Sequence, residues 1–280
     1  MARPYRGCVS DLSAQVRAAL RSASVAELAW VDPRRGVVVS GVVPLLPDDI
    51  GDGAPVLAFT WAEAALARSV GAANEVVLTL TDPRCTGSGF TPTLVRATPV
   101  LREDRTGEEF TDGLLRDELR KYPPARRYAD SPLLQREHWW YLPRLQVTLE
   151  VHSTSPFAAR TDPGQGILAV HDGQLSVTVA ALEDADVVTA APVAGPEVLR
   201  PRLADGVPPR PGPAVLFGHD LTYPDMEQWA QWTWRGQWDG DVLLVRERPP
   251  KIGLGRTPTL PQRWRSHREL ERRCRRALEA

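Results

Sequence analysis

The stretch Glu137-His138-Trp139-Trp140-Tyr141-Leu142-Pro143-Arg144 runs directly into Leu145-Gln146-Val147-Thr148-Leu149-Glu150-Val151. Apolar and polar residues alternate from Leu145 onward, the period of a half-buried strand. The spacing predicts that a helix ends at the aromatics and that the closing strand of a barrel begins at Leu142. Trp and Tyr carry apolar bodies and polar tips. The cluster therefore suits either a cover over the open end of a core or the wall of a pocket for a flat aromatic ligand.

Upstream, the pattern predicts a helix to about Ala23, capped by Asp11 or Ser13. Val25–Asp32 and the valine-rich Val37–Leu46 form a hairpin around Pro33-Arg34-Arg35-Gly36. Gly51-Asp52-Gly53 turns the chain into a third strand, Pro55–Thr60, followed by a short helix, Trp61–Ala73. Two more strands, Glu75–Thr81 and Phe90–Leu101, flank a loop at Cys85–Gly89. A helix over Glu108–Lys121, stopped by Pro123-Pro124, and one capped by Asp130 or Ser131 lead back to the aromatic cluster. Short strands with hairpin connections argue for an antiparallel barrel rather than a parallel sheet.

Beyond Ser153 the composition shifts, and Pro156, Pro163, Gly164 and Gly166 mark a domain edge. Ile167–Ala181 reads as a hairpin around Asp172-Gly173. A proline-rich loop spans Pro192–Pro213, Ala214–Phe217 and Asp241–Arg246 read as strands, and Pro224–Trp234 as a helix carrying Trp229 and Trp232. Trp229, Trp232, Trp234 and Trp238 are too closely spaced for one helix face, so some of them are expected to line a groove between domains or subunits. Pro261–Leu278 is a basic helix with Leu270, Cys274 and Leu278 on one face.

With 42% hydrophobic and 25% charged residues the chain has an ordinary globular composition. Its net charge of -1 supplies no field toward nucleic acid or membrane. The arginine stripe from Arg263 to Arg276 is interleaved with glutamates and reads as a solvated helix face rather than a nucleic-acid surface. Cys8, Cys85 and Cys274 are too scattered for a disulfide framework or a zinc site, which places the protein in a reducing cytoplasm. No apolar run approaches the roughly 18 residues of a membrane span. His219-Asp220 with Asp225 and Glu227 matches no common metal-ligand spacing, and no metal is expected. His138 beside Glu137 reads either as a proton donor or as a structural histidine. No catalytic acid or base stands out.

The runs Val25–Asp32, Gly36–Pro44, Val56–Thr60, Trp61–Ala73, Glu75–Asp82 and Thr93–Leu101 resemble, in order and length, the FMN-binding split barrel of the pyridoxamine 5′-phosphate oxidase-like family. The resemblance covers residues 1–155; residues 156–280 match no named family. It implies an α+β, mainly β fold: an antiparallel split β-barrel with peripheral helices, followed by a smaller C-terminal α+β region. It further implies a cytoplasmic homodimer with a flavin at its interface and hydride or electron transfer to an unknown small-molecule substrate. FMN is the implied cofactor, with deazaflavin and haem as alternatives. The phosphate would be held by Thr60, Arg68 and Ser40, an arginine and hydroxyls near a helix N-terminus. Trp61, Trp139 and Arg144 complete the implied cofactor-binding set. The chain departs from the family's Ser-x-Lys pattern, reading Thr60-Trp61-Ala62-Glu63; the lysine is absent and Glu63 would repel phosphate. A non-catalytic ligand-binding barrel and a partner-binding protein are the alternatives to a flavin-dependent oxidoreductase.

Overall fold

The computed structural model describes residues 12–47, 53–86, 90–182, 187–188, 197–204 and 207–280. The readings made of Cys8, Asp11, Gly51-Asp52 and parts of the loops at 87–89 and 192–196 lie outside them.

The first sheet grows from the hairpin of β1 (Ala26–Asp32) and β2 (Gly36–Val42). The Asp32 carboxylate closes its turn by accepting from the Arg34 and Arg35 backbone amides at 2.8 and 2.9 Å. β3 (Pro44–Leu45), β4 (Val56–Thr60), β5 (Val76–Leu80), β6 (Thr93–Asp104) and β7 (Arg144–Pro156) complete a seven-stranded antiparallel sheet in the order β2-β1-β5-β6-β7-β4-β3. Its two edge strands, β2 and β3, are separated in the chain by Val43 alone. A sheet whose edges are joined by one residue must curl until they nearly meet, which is how this sequence makes a split barrel rather than an open sheet.

α1 (Ala14–Ser22), capped by the Ser13 hydroxyl, buries Val16, Ala19 and Leu20 against the barrel. After β4 a 3-10 turn (Trp61–Glu63) opens α2 (Ala64–Gly71). Trp30 of β1 donates to Ser69 of this helix at 2.9 Å, tying it across the sheet. Between β6 and β7 lie α3 (Glu108–Gly113), α4 (Leu115–Lys121), α5 (Arg126–Ala129) and α6 (Pro132–Glu137). The single helix expected over 108–121 is thus two, broken at Leu114. Gly107 marks where the excursion leaves the sheet. Its φ is +78°, and a Cβ there would lie 2.7 Å from the Leu142 backbone, so only glycine lets the entry pack against the exit.

The second sheet holds β8 (Gln165–His171), β9 (Leu175–Ala181), β10 (Val187–Val188), β11 (Glu197–Leu199), β12 (Arg202–Leu203), β13 (Gly212–Leu221), β14 (Trp229–Trp238) and β15 (Leu243–Glu247). Its order is β10-β11-β15-β14-β13-β8-β9-β12, again antiparallel. The helix expected over Pro224–Trp234 is not formed: from Trp229 the chain is strand β14. Trp232, Trp234 and Trp238 are buried and all even-numbered, the period-2 signature of a strand face. α7 (Leu260–Glu279) returns to the first sheet, where Cys274 is buried with Leu270 and Leu278 packed beside it.

The architecture is therefore mainly β with peripheral helices, two curled antiparallel sheets of the expected class. The sheets pack face to face through Ala29, Val37, Val39 and Val77 on one side and Ala169, Val215 and Phe217 on the other. Among the described residues no helix is long and apolar enough to cross a membrane.

Candidate functional site

The helical excursion and α7 enclose a cavity of about 570 Å³ against the end of β2 and the end of β4. The register of β4 with β7 sets Thr60 opposite Arg144, so two of the sequence-predicted residues arrive together by sheet geometry. Ser40 and Gly41 reach the cavity from β2, and Trp229 and Gln231 reach it from β14 of the second sheet. The walls are Phe59, Tyr122, Tyr128, Tyr141 and Trp229, with Leu270 of α7 at the side.

Arg144 forms the anchor of this wall. It is fully buried, donates to Glu118 at 3.1 Å and lies between the rings of Phe110 and Tyr141 at 4.1 and 4.2 Å. Tyr141 donates to the same Glu118 oxygen at 2.6 Å. Charge and carboxylate thus neutralise each other in the dry interior. Arg144 Nε, however, has no partner, and neither does the buried Nε1 of Trp229. Two cavity-lining residues therefore carry N–H donors without an acceptor, a condition proteins rarely leave unanswered.

The tyrosines stay neutral. Burial pushes the Tyr122 phenol up to about 12, with the neighbouring Tyr128 adding to the shift. Tyr141 is raised further by burial and by the Glu118 carboxylate. Glu63 is occupied by the Thr60 amide and hydroxyl, at 3.2 and 2.9 Å. Glu227 is held by Arg127 and Arg263. With Glu118, Glu63 and Glu227 all engaged and the phenols protonated, the cavity presents aromatic faces and donors rather than a free acid–base pair.

Gly41 explains how the second sheet gains entry. A Cβ there would lie 2.5 Å from the Trp229 indole, and Gln231 Oε1 accepts from the Gly41 amide at 3.1 Å. An edge-strand amide is thereby satisfied by a side chain of the other sheet. Of the four tryptophans, some of them expected to line a groove, Trp229 is among the cavity-lining residues and Trp232, Trp234 and Trp238 are not.

Ser40, Thr60 and Arg144 meet at this cavity; Trp61, Arg68 and Trp139 do not line it. Arg68 lies on α2 with half its side chain exposed and pairs with Glu103 at 3.0 Å. Trp61 is buried in the core with the Arg105 guanidinium 4.6 Å from its ring. Trp139 is half exposed, with Arg275 of α7 stacked 5.0 Å over it. Their placement follows from helical geometry: α2 carries Arg68 toward β6, while the 3-10 turn at 139–141 sends Trp140 and Tyr141 inward and Trp139 out. His138 lines a neighbouring hollow of about 580 Å³ with His267, whose ring lies 5.2 Å away. His219 lies outside the cavity, at the seam between the sheets, where it contacts Glu27 and Arg160. Among the described residues no three His, Cys, Asp or Glu side chains gather as a metal set.

No family model matches the chain, and no curated protein does. Solved structures similar to it include ChuZ from Campylobacter jejuni, at 12% identity and a TM-score of 0.35, covering 51% of this chain and 54% of that one. A heme binding protein from Mycobacterium smegmatis is 14% identical at a TM-score of 0.34, over 97% of this chain and 99% of that one. An FMN-binding protein from Syntrophomonas wolfei is 16% identical at a TM-score of 0.29, over 53% of this chain and 84% of that one. The chain spans about half the length of ChuZ. At these scores the class, a split barrel, rests on the strand order and curl described above.

Proposed function

We propose that this protein binds a flat heterocycle bearing hydrogen-bond acceptors, of the flavin type, in the cavity between β2, β4, the helical excursion and β14. The observation that carries the reading is the pair of unanswered donors, Arg144 Nε and Trp229 Nε1, on residues lining an aromatic-walled space of about 570 Å³. Such a volume suits a ring system of drug size. Aromatic faces favour a planar partner, and ring carbonyls or ring nitrogens are acceptors that these buried N–H groups would reach by a small movement of their side chains toward the space.

The residues fit the ring of FMN, and the phosphate clamp expected of Thr60 and Arg68 is not formed. Thr60 is occupied by Glu63, and Arg68 is paired with Glu103 outside the cavity. Haem fits less well. Among the described residues no histidine, cysteine or methionine lines the cavity, so an axial ligand for iron would have to come from Tyr122, Tyr128 or Tyr141. A bound flavin would supply the hydride or electron transfer implied by the family resemblance; the chain supplies walls, donors and orientation. The binding function is the reading favoured here, and oxidoreductase activity is its extension.

Titration of the purified protein with riboflavin and with FMN, followed by flavin fluorescence quenching, tests this. The two should bind within about threefold of each other, because Thr60 and Arg68 form no clamp and the cavity's own arginines are already engaged, Arg127 by Glu227 and Arg273 by the Ala62 carbonyl. Trp229→Phe should weaken riboflavin roughly tenfold, one hydrogen bond of about 1 kcal/mol or slightly more. A protein that is colourless and quenches neither flavin would overturn the proposal. Reduction of the bound flavin by a nicotinamide donor would extend binding to catalysis.

A further inference from the structure

The two sheets are one sheet built twice. In chain order β8, β9, β10, β11, β13, β14 and β15 take the places of β1 to β7. The second sheet's order, β9-β8-β13-β14-β15-β11-β10, is then the first sheet's β2-β1-β5-β6-β7-β4-β3 strand for strand, with β12 added on the edge of β9.

Register confirms the correspondence at residue level. Across the first sheet, Val39 pairs with Ala29, Ala29 with Val77, and Val77 with Arg96. Across the second, Val177 pairs with Ala169, Ala169 with Val215, and Val215 with Arg235. The same four residue types, Val-Ala-Val-Arg, form the same rung. A β-bulge follows each arginine, between Arg96 and Ala97 and between Arg235 and Gly236. Bulges are specific features of a strand rather than noise.

The rung is also where the halves meet, and the two arginines act reciprocally. Arg96 donates to the Leu175 carbonyl at the start of β9, at 2.9 Å. Arg235 donates to the Val37 carbonyl at the start of β2, at 2.6 Å. Each half thus reaches across to the same place on the other, as two subunits do about a two-fold axis.

The symmetry breaks at the cavity. Counting two rungs from Ala29 and from Ala169, Gly41 corresponds to Val179. Gly41 admits Trp229 and Gln231. At the equivalent edge Val179 accepts from the Ala204 amide at 2.9 Å, and β12 pairs with Ala180 and Ala181. One edge is open to the cavity and the other is covered by its own strand.

We propose that the chain is a fused duplicate of a single split barrel, and that its second copy serves as a built-in partner completing one ligand cleft in cis. The homodimer implied by the family resemblance is here replaced by the two halves of one chain. The fusion rests on strand order and register; the single cleft rests on the binding function proposed above.

Three measurements on the full chain separate these. Light scattering at micromolar concentration should give one chain, about 30.9 kDa. A two-chain mass would overturn completion in cis whatever binds. Arg96→Ala and Arg235→Ala should each lower the melting temperature by roughly 3–6 °C and by similar amounts; an effect confined to one would overturn the reciprocity. Thr178 occupies in the second half the register position that Ser40 holds in the first. Riboflavin should saturate at one equivalent per chain, unaffected by Thr178→Val and weakened severalfold by Gln231→Ala. Two equivalents would overturn the single cleft. A monomer with matched arginine effects and no riboflavin uptake would uphold the duplication and sink the binding proposal instead.

Discussion

The same pair of neighbouring strands is joined in two different ways. In the second half β14 passes to β15 through a tight turn, where Asp239 accepts from the Asp241 and Val242 amides at 2.9 and 2.8 Å. In the first half β6 passes to β7 through residues 105–143, an excursion of four helices of which α4 and α5 line the cavity. The difference separates scaffold from site. The turn shows that the sheet needs nothing more to form; the excursion contributes Glu118, Tyr122, Tyr128 and Tyr141 to the cavity and delivers the chain to Arg144. The interiors differ accordingly. Asp117, Glu118, Lys121 and Arg144 are buried beneath the excursion, whereas the second half fills its core with Trp232, Trp234 and Trp238.

The largest expected effect breaks this contrast at its charged end. Arg144→Ala leaves Glu118 buried with a carboxylate answered only by Tyr141. Removing one partner of a buried pair costs about 3–5 kcal/mol, and the melting temperature should fall by on the order of 10 °C. Glu118→Gln combined with Arg144→Met should recover most of that loss, because no uncompensated charge remains. Thermal unfolding by circular dichroism reads both. A single variant that melts within a degree or two of the parent would mean that the excursion is held by its apolar contacts alone.

How far such contrasts are legible without a structure depends on their range in sequence. The first barrel could be read because each strand announces itself locally: valine-rich Gly36–Val42, Val76–Leu80 ending at Asp82-Pro83, the alternation after Arg144. Ser131 and Ser13 cap helices as their positions suggest. The helix expected at Pro224–Trp234 failed because Trp229 and Trp232, three apart, also fit a helical face; the deciding signal was the even spacing of Trp232, Trp234 and Trp238. For the site, Ser40, Thr60 and Arg144 fall on sheet positions whose partners are set by register, and all three line the cavity. Arg68 and Trp139 depend on which side of a helix or turn faces inward, which local pattern decides poorly. Gln231 meets Gly41 across the whole molecule, and no short motif encodes that contact. The duplication was hidden for the same reason: its identical rung draws one residue from each of four strands.

A smaller effect sharpens the comparison at the seam between the halves. Glu27 of β1 meets His219 of β13, with Arg160 from the intervening segment donating to the His219 carbonyl at 2.7 Å. Burial alone would raise the Glu27 carboxyl, but the His219 hydrogen bond and the charges around it hold it below its ordinary value. Burial, with Arg160 nearby, holds His219 below its ordinary value of 6.5. Both groups bind fewer protons folded than unfolded, so both contribute stability that is present above the ordinary value and lost as pH falls. His219 acts first, below 6.5, and Glu27 below 4.5. As pH falls from about 7.5 to about 5.5 the urea midpoint should fall, because the unfolded chain takes up a proton at His219 that the folded one resists. His267, also held down by burial and by His138, adds in the same direction. His219→Gln should therefore flatten part of the slope, not all of it. An unchanged slope would show that the seam does not titrate in this range.

The smallest effect concerns Arg68, on the helix of the first barrel that lies between β4 and β5 and has no counterpart helix among the described residues between β11 and β13. If α2 were the phosphate clamp, losing Arg68 would cost FMN a charge-assisted contact and tenfold or more in affinity. Its geometry argues otherwise. The guanidinium sits 3.0 Å from Glu103 with both side chains substantially exposed, and it lines no part of the cavity. Exposed pairs of this kind contribute about 0–1 kcal/mol. Arg68→Ala should accordingly shift the melting temperature by no more than about 2 °C and leave riboflavin and FMN binding within about twofold of the parent. A tenfold loss confined to FMN would return the phosphate to α2 and make that helix, rather than the β6–β7 excursion, the feature that distinguishes the ligand-binding half from its duplicate.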